Sequence, residues 1–434
     1  MASDDTSDDI EPIGEFRERA VAFVRANLAP SDPERPGHLT MGEAKALQAT
    51  IFDAGFAGIA VPTRYGGAGL TLAHQKAWAE AVDGHVVPSN LFVSMGMLGI
   101  TLLEQGSEVL KARHLPRILR GDEVWIQLLS EPSGGSDMAG AMTRATRDGD
   151  TWVVNGAKTW STGAADADYG MCLARTDWDQ PKHQGLSMFA VPLGDPRVTI
   201  QPIVGMEGGP AHFFSEYFDD VVLPLENLIG EENQGWSVAH TLLFHERNAT
   251  AGIGYGLGLG GGHGSSGGAG GTGVEHLVRY AQAAGTLKDG TTRQLIAEAF
   301  VIQRSATHVG TRVNLGMRLG ALKGDWGSLL KLGLGMDTLR RGEIGLEIAG
   351  PDGVIWPDGT PGTPGGAGSG GSGGRIGDAG GAGRTWLGAR NISIAGGTNE
   401  MQRNIVSERL LGMPREPATD RDQPFSEVVR RRHG

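Results

Sequence analysis

Hydrophobic residues follow helical spacing at both ends of the chain and strand-like spacing in the middle, and this order limits the possible folds. Residues 14–125 place apolar residues three and four apart, as in EFRERAVAFVRANL, which predicts amphipathic helices. Residues 126–228 contain short β-type runs separated by turn residues. Residues 229–434 return to helical spacing. We therefore predict an α+β multidomain chain, with a helical N-terminal domain, a middle β domain and a C-terminal helical bundle.

The middle segment offers few strands for an independent sheet. GLSMFAVPL, VTIQPI and HFFSEYFDDVVLP are strand candidates, and TWVVNGAKTW is predicted to be a hairpin that turns at Asn155-Gly156. A small sheet exposes unpaired edges to solvent. We expect this one to close into a barrel or to pack against helices.

Charge and cysteine content exclude several classes of function. The net charge of -12 argues against a nucleic-acid partner, which requires a basic surface. No run of about 18 apolar residues occurs, so no membrane span is expected. The acidic residues 1–13 are predicted to be disordered and not a signal peptide. The single cysteine, Cys172, rules out an internal disulfide, which suits the cytoplasm.

Two glycine-rich tracts interrupt the C-terminal part, at residues 256–273 and 358–383. They contain too few apolar side chains to bury surface, so we predict flexible surface loops. The first tract contains near-matches to a dinucleotide-binding fingerprint. We reject that interpretation because no strand precedes the tract and no helix starts on it.

Two stretches carry the chemistry of a binding site. In SEPSGGSD, three serines and two glycines expose hydroxyls and amides that suit a phosphate or the polar edge of a heterocycle. Trp160-Ser161-Thr162 follows, and a flat ring beside hydroxyls suits a planar cofactor; a capped turn with a core tryptophan is the alternative. In IAGGTNEMQ, glycines precede a helix start whose free amides suit an anion or a carbonyl. That turn carries no acid, base or nucleophile.

These motifs together resemble the acyl-CoA dehydrogenase family, in its bacterial, actinomycete-type form. The resemblance rests on SEPSGGSD, VVNGAKTWSTG, NQGWSVA…HER, EIAGPDG and GGTNEMQRNIVSERLLGMPRE, and covers nearly the whole chain outside the glycine tracts. It implies a middle β-barrel between the helical domains, with FAD between the barrel and the bundle across a subunit interface. It also implies an acyl-CoA substrate, an electron-transfer flavoprotein or similar acceptor, and a homo- or hetero-oligomer built as a dimer of dimers.

The resemblance further implies a mechanism and a set of residues. A base removes the α-proton of the thioester while flavin N5 takes the β-hydride, and a backbone amide of the GGT turn polarises the carbonyl. No metal is implied. The cofactor contacts it implies are Gln127, Leu129, Ser130, Gly135, Ser136, Trp160, Thr162, Arg279, Thr398 and Glu400, and the substrate contacts are Ser136, Arg247 and Gly397.

The base requires a separate argument because the usual glutamate before Gly-Thr is Gly396 here. One branch of the family carries its glutamate on an earlier helix, directly before an arginine, and this sequence has Glu246-Arg247 there. We predict that Glu246 is the base and that apolar surroundings raise its pKa. The alternative is a solvated helix glutamate paired with a lysine or arginine.

The sequence departs from the family at Arg279. Its segment reads RYAQAAG and lacks the Phe-Gly of the usual R-x-x-F-G motif. An FAD-poor, non-catalytic subunit of a heteromer therefore stays open as an alternative. So do a flavin-dependent oxidase or monooxygenase on the same fold, and an acyl-CoA-binding scaffold, although the last needs none of the retained flavin-site residues.

Overall fold

The computed structural model describes residues 10–31, 39–206, 211–250, 274–322, 324–354, 379–418 and 420–433. Residues 1–9 of the predicted N-terminal tail and the glycine tract at 256–273 lie outside these ranges. The last residue of that predicted tail, Ile13, begins a helix.

Five helices form the N-terminal part, as the apolar spacing predicts. Local signals place their ends: Thr40 and Glu43 form a capping box, Ser107 caps another helix, and Gly121 ends it at a φ of 83°. Their apolar faces share one core with the sheet residues Trp125 and Met188. The five helices are α1 (Ile13–Asn27), α2 (Met41–Asp53), α3 (Leu72–Ala81), α4 (Gly99–Gln105) and α5 (Glu108–Arg120).

A mixed sheet follows. Its strands are β1 (Trp125–Leu128), β2 (Arg144–Asp148), β3 (Thr151–Thr162), β4 (Tyr169–Arg175), β5 (Leu186–Pro192), β6 (Val198–Ile203), β7 (Phe213–Pro224) and β8 (Leu228–Ile229). They are ordered β6-β7-β3-β2-β4-β5-β8, and β1 pairs in parallel with β4.

The sheet is not a closed barrel, which corrects that part of the prediction. In the described residues, β6 and β8 are its two ends and do not pair, and β2 meets β4 at a single residue pair, Arg144 with Arg175. One face packs on the N-terminal helices, and the other encloses a second core that includes Trp152 and Phe189. The first core is therefore shared with the helices, whereas the second is enclosed by the strands and loops of the sheet itself, although the sheet does not close.

The predicted hairpin at Asn155-Gly156 is wrong. Both residues lie inside β3, and the β2–β3 turn lies at Gly149, with Asp148 opposite Thr151. Gly156 has a φ of 143°, and a Cβ there would lie 2.7 Å from Thr143 Cα. The glycine allows a bulge and a close backbone approach.

The C-terminal part is helical, as predicted. Its helices are α6 (Gly235–Thr250), α7 (Val274–Ala283), α8 (Gly290–Arg318), α9 (Gly327–Ala349), α10 (Ala379–Ile394), α11 (Asn399–Ile405) and α12 (Phe425–His433). The end of the second glycine tract belongs to α10, which corrects the predicted loop over residues 379–383. Ala382 is buried there, and a Cβ on Gly383 would lie 2.4 Å from the Gly353 carbonyl, so these small residues permit close helix packing.

We predict that Gly156→Ala destabilises the protein by about 3 kcal/mol, because the new methyl group meets Thr143 and φ is positive. Gly149→Ala is the matched control: its φ is 56°, but no atom lies within 4 Å of the new Cβ, so only about 1 kcal/mol is expected. Urea unfolding measures both. Equal losses would contradict the close-approach role of Gly156.

Candidate active site

The glycine turn between α10 and α11 is held in place from within. Gly396 and Gly397 have φ values of 68° and 87°, a conformation that glycine adopts readily. Thr398 caps α11 by accepting a hydrogen bond from Met401 N at 3.2 Å. The buried Gln402 amide donates to the carbonyls of Gly396 and Gly397 at 3.0 and 3.2 Å. The turn is therefore a fixed backbone platform next to free helix amides.

Glu246, on α6, points at this turn. A Cβ added to Gly396 would lie 3.4 Å from Glu246 Oε1. A carboxylate carried by either position would therefore reach the same space, as the sequence comparison of the two positions predicts. The glycine leaves room for the Glu246 side chain, which is partly buried.

Burial raises the pKa of Glu246, which is the predicted direction. Arg247, a hydrogen bond from Gln127 and the charge of Lys331 lower it in part. The carboxyl group of Glu246 therefore has charged and polar neighbours, whereas the sequence predicts purely apolar surroundings. Glu246 is also not a solvated surface glutamate, which was the alternative interpretation.

Gln127, on β1, was predicted to contact the flavin, and the structure brings its side chain to Glu246. Its Oε1 atom is buried and has no hydrogen-bond partner among the described residues. The amide group therefore donates to the carboxylate and leaves one acceptor free in the site.

Lys331, on α9, is a site residue that the sequence analysis missed. It is 3% exposed, and its Nζ donates to the Ile392 carbonyl at 2.6 Å, just before the glycine turn. Burial lowers the pKa of Lys331 and the nearby Glu246 raises it. A lysine on an amphipathic helix normally faces solvent, so no local signal marks it.

A buried ion pair anchors the SEPSGGSD loop. Glu131 and Lys158 meet at 2.7 Å, and Glu131 also accepts from the amides of Met142 and Thr143 at 2.6 and 2.9 Å. These bonds compensate the cost of burying both charges. The loop thereby leaves its small residues outward: Ser133, Gly135 and Ser136 are exposed, and Ser130 is partly buried.

Trp160 is held in an unusual conformation. It has a φ of 65°, it is the extra residue of a bulge between Thr159 and Ser161, and its side chain is 60% exposed. Strained backbone and an exposed large ring together are typical of binding sites. The core-tryptophan alternative therefore fails for Trp160.

Strand β7 holds the residues that follow Trp160 in the chain. Ser161 points inward to the Phe214 carbonyl and to the carboxyl group of Glu216. Burial raises the pKa of Glu216 to about 7. Thr162 ends the strand beside them and is partly buried.

No described contact links the predicted cofactor residue Arg279 to this group. Leu129 and Glu400 are linked to it: the Leu129 carbonyl accepts from Lys158 at 3.3 Å, and Glu400 hydrogen-bonds Thr398. Arg279 lies on α7, which packs with α8 and α9 around a separate core. Glu400 is exposed and pairs with Arg403 at 3.3 Å on its own helix. Leu129 is buried in the core below the loop. Of the predicted residues, the structure therefore brings together Gln127, Glu246, Arg247 and the glycine turn.

A cavity of about 520 Å³ lies at the N-terminal end of α6, and sequence reasoning did not find it. Lys182 and Arg421 act on His183, where Asp137 opposes them, and Arg409 and Arg247 act on His240. Burial and these cations lower the pKa of both histidines. Its walls are Gln180, His183, Gln184, Asn233, Gln234, Trp236, Ser237 and His240.

Among the residues that the structure describes, no group of three or more histidine, cysteine, aspartate or glutamate residues could hold a metal ion. Within the same ranges, no helix has the length and apolar character needed to cross a membrane.

Comparisons with known proteins match nearly the whole chain. The family model "Acyl-CoA dehydrogenase, N-terminal domain" matches residues 13–122, and "Acyl-CoA dehydrogenase, middle domain" matches residues 127–221. Acyl-CoA dehydrogenase IpdE1 of Mycobacterium tuberculosis is 30% identical over 425 residues, which cover 94% of this chain and 99% of that protein.

Two further matches agree. Cyclohexane-1-carbonyl-CoA dehydrogenase of Geobacter metallireducens is 34% identical over 239 residues, or 54% of this chain and 60% of that protein. A solved structure titled "Tcur3481-Tcur3483 steroid ACAD" is 27% identical, with a TM-score of 0.70 over 94% of this chain and 99% of that chain.

We predict that Trp160→Ala weakens FAD binding about tenfold, because it removes an exposed ring that stabilises no core. The thermal midpoint of the apoprotein should move by less than about 2 °C. Trp152→Ala is the control: Trp152 is 2% exposed in the sheet core, so that variant should lose stability first. Unchanged FAD affinity in Trp160→Ala would contradict the assignment.

Proposed function

Because the chain belongs to the acyl-CoA dehydrogenase family, we propose that it catalyses FAD-dependent α,β-dehydrogenation of an acyl-CoA thioester, with Glu246 as the base. Its relatives are named acyl-CoA dehydrogenases, which are oxidoreductases that act on CH–CH groups. The observation that carries the proposal is the Glu246 carboxyl group, 3.4 Å from the Cβ position of Gly396.

Glu246 is suited to remove a weakly acidic proton. A buried carboxylate with a raised pKa is a stronger base than one in water. Gln127 and Lys331 act against the effect of burial and stabilise its ionised form. Arg247, next to Glu246, supports the same ionised form.

The glycine turn is suited to hold the thioester oxygen. Gln402 ties the carbonyls of Gly396 and Gly397, so the turn keeps one conformation while a substrate binds. Backbone donors fixed in this way stabilise charge that develops on an oxygen. Gly397 is exposed and would face the substrate.

The residues of the SEPSGGSD loop and of the Trp160 bulge fit a flavin. Trp160 presents an exposed ring, Ser130 and Thr162 offer hydroxyls beside it, and Thr398 begins a helix. Gly135 and Ser136 are exposed and would admit a close approach. Bound FAD would supply the hydride acceptor of the reaction. Glu400 stays a prediction, although it hydrogen-bonds Thr398 at the glycine turn, and Arg279 stays a prediction that no described contact supports.

The cavity on α6 fits the nucleotide end of acyl-CoA. Trp236 offers a flat face, and the cations Lys182, Arg409 and Arg421 act on the histidines of the cavity. Lys182 pairs with Asp137 and Asp420, and Arg409 pairs with Asp325. His240 and Glu246 are six positions apart on α6, so about 9 Å of helix links the cavity to the base. A pantetheine arm would run along this helix.

A second candidate is a subunit of a heteromeric acyl-CoA dehydrogenase that holds little FAD. The departure of RYAQAAG from the family motif favours it, and the related steroid structure carries two names in its title. Helix α8 also exposes apolar side chains, including Phe300, Val301 and Leu315, which suits an oligomer interface. For either candidate function, the electron acceptor would be an electron-transfer flavoprotein or a similar protein. The one cysteine, Cys172, is buried and suits the cytoplasm.

We predict that Glu246→Gln slows flavin reduction by at least ~100-fold, because glutamine accepts no proton. FAD content and acyl-CoA binding should be retained, since the side chain keeps its size. The measurement is anaerobic flavin bleaching with a panel of straight-chain, alicyclic and steroid-type acyl-CoA thioesters.

A double variant is the control for Glu246→Gln. Glu246→Gln/Gly396→Glu should recover part of the rate, limited by the positive φ at that position.

Rapid oxygen consumption by the reduced parent would favour an oxidase. A parent that binds no FAD alone but does so with a partner chain would favour the second candidate, and undiminished bleaching in Glu246→Gln would remove the base assignment.

We predict that Lys331→Met and Gln127→Leu each move the acid limb of the pH profile for flavin reduction to higher pH. The base acts when deprotonated, and both side chains lower the pKa of Glu246, so removing either raises that pKa. The control is Lys76→Met, since Lys76 is exposed and pairs with Glu80 on α3. An unmoved acid limb in both variants would contradict their electrostatic role.

A further inference from the structure

The C-terminal segment, residues 420–433, folds back onto the loop that joins β4 to β5. Phe425 N donates to the Gln180 carbonyl at 3.0 Å, and Ser426 N donates to the Trp178 carbonyl at 2.8 Å. The Ser426 hydroxyl also donates to Asp179 at 3.2 Å. Backbone bonds of this kind fix the position of a loop that otherwise lies on the surface.

Phe425 secures this contact through Arg175, which is fully buried. The Arg175 guanidinium lies 3.9 Å from the centre of the Phe425 ring, which is 1% exposed. The same guanidinium donates to the carbonyls of Ala139 at 2.6 Å and Lys182 at 3.0 Å. One buried cation therefore joins the C-terminal segment, the β4–β5 loop and the residues that follow SEPSGGSD.

The loop held in this way forms one wall of the cavity on α6. Gln180, His183 and Gln184 belong to it. Arg421 is exposed in the turn just before α12, and the residue before it, Asp420, pairs with Lys182 at 3.8 Å, so this turn lies beside the cavity wall. No ion pair of Arg421 occurs within the described ranges, so its guanidinium is available to an anionic ligand.

We propose that the C-terminal segment is part of the acyl-CoA-binding site: Phe425 positions the cavity wall, and Arg421 binds a phosphate of the nucleotide end. This inference rests on the proposed function, because it takes acyl-CoA as the ligand. A guanidinium beside phosphate oxygens forms charge-assisted, often bidentate hydrogen bonds. The segment thereby recognises the part of the substrate farthest from the reacting carbons.

The test compares two thioesters of the same acyl group, one on CoA and one on pantetheine, which lacks the nucleotide. The full FAD-loaded protein is titrated with each by calorimetry. We expect Arg421→Gln to weaken binding of acyl-CoA by about tenfold and to leave binding of acyl-pantetheine unchanged, because only the phosphate contact is lost. The effect should shrink as salt is raised.

The matched control is Arg431→Gln. Arg431 belongs to the same segment, is 65% exposed and pairs with Glu427 at 3.6 Å, so its loss should change neither affinity. Phe425→Ala should weaken acyl-CoA binding further than Arg421→Gln, with FAD content retained, since the cavity wall loses its anchor.

The outcomes separate the two proposals. A parent protein that binds neither thioester overturns the proposed function. A parent that prefers acyl-CoA, with the same preference in Arg421→Gln and in Phe425→Ala, overturns the role of the C-terminal segment alone. Equal weakening of both thioesters in Arg421→Gln also overturns it, because a phosphate contact distinguishes them.

Discussion

The structure of the site depends on burying one carboxylate, that of Glu246. A buried charge is costly unless other groups stabilise it, and here the stabilising groups come from separate elements. Helix α6 supplies Glu246 and Arg247, β1 supplies the Gln127 amide, and α9 supplies Lys331. The glycine turn fills the remaining side. The C-terminal helices must therefore pack against the sheet in one arrangement before the carboxylate is both buried and ionisable.

Backbone strain recurs where the site must present a group outward. Gly396 and Gly397 take left-handed conformations that leave space for Glu246, and Trp160 takes one at a bulge that turns its ring toward solvent. Such conformations persist only where the surroundings hold them. Gln402 holds the first, and the paired strands β3 and β7 hold the second. The buried ion pair of Glu131 and Lys158 fixes the SEPSGGSD loop.

The sequence predicts well whatever depends on nearby residues. Helical spacing, the capped turn after the two glycines and the order of helix, strand and helix are confirmed, and so is the family resemblance carried by the SEPSGGSD and GGTNEMQ motifs. The raised pKa of Glu246 is confirmed as well. Its role as the base, the flavin contacts and the domain boundaries stay predictions.

What only the tertiary structure decided involves segments far apart in the chain. Gly156 looked like a turn residue, but the close approach of Thr143 gives it another role. The barrel stays open because, in the described residues, β6 and β8 end the sheet without pairing, and residue spacing does not record pairing between separate strands. Gln127, Glu246 and Lys331 meet although more than 80 residues separate each from the next. Residue spacing records only local geometry. Burial arises only after distant segments pack, and it is burial that raises the pKa of Glu246 and holds Phe425 on Arg175.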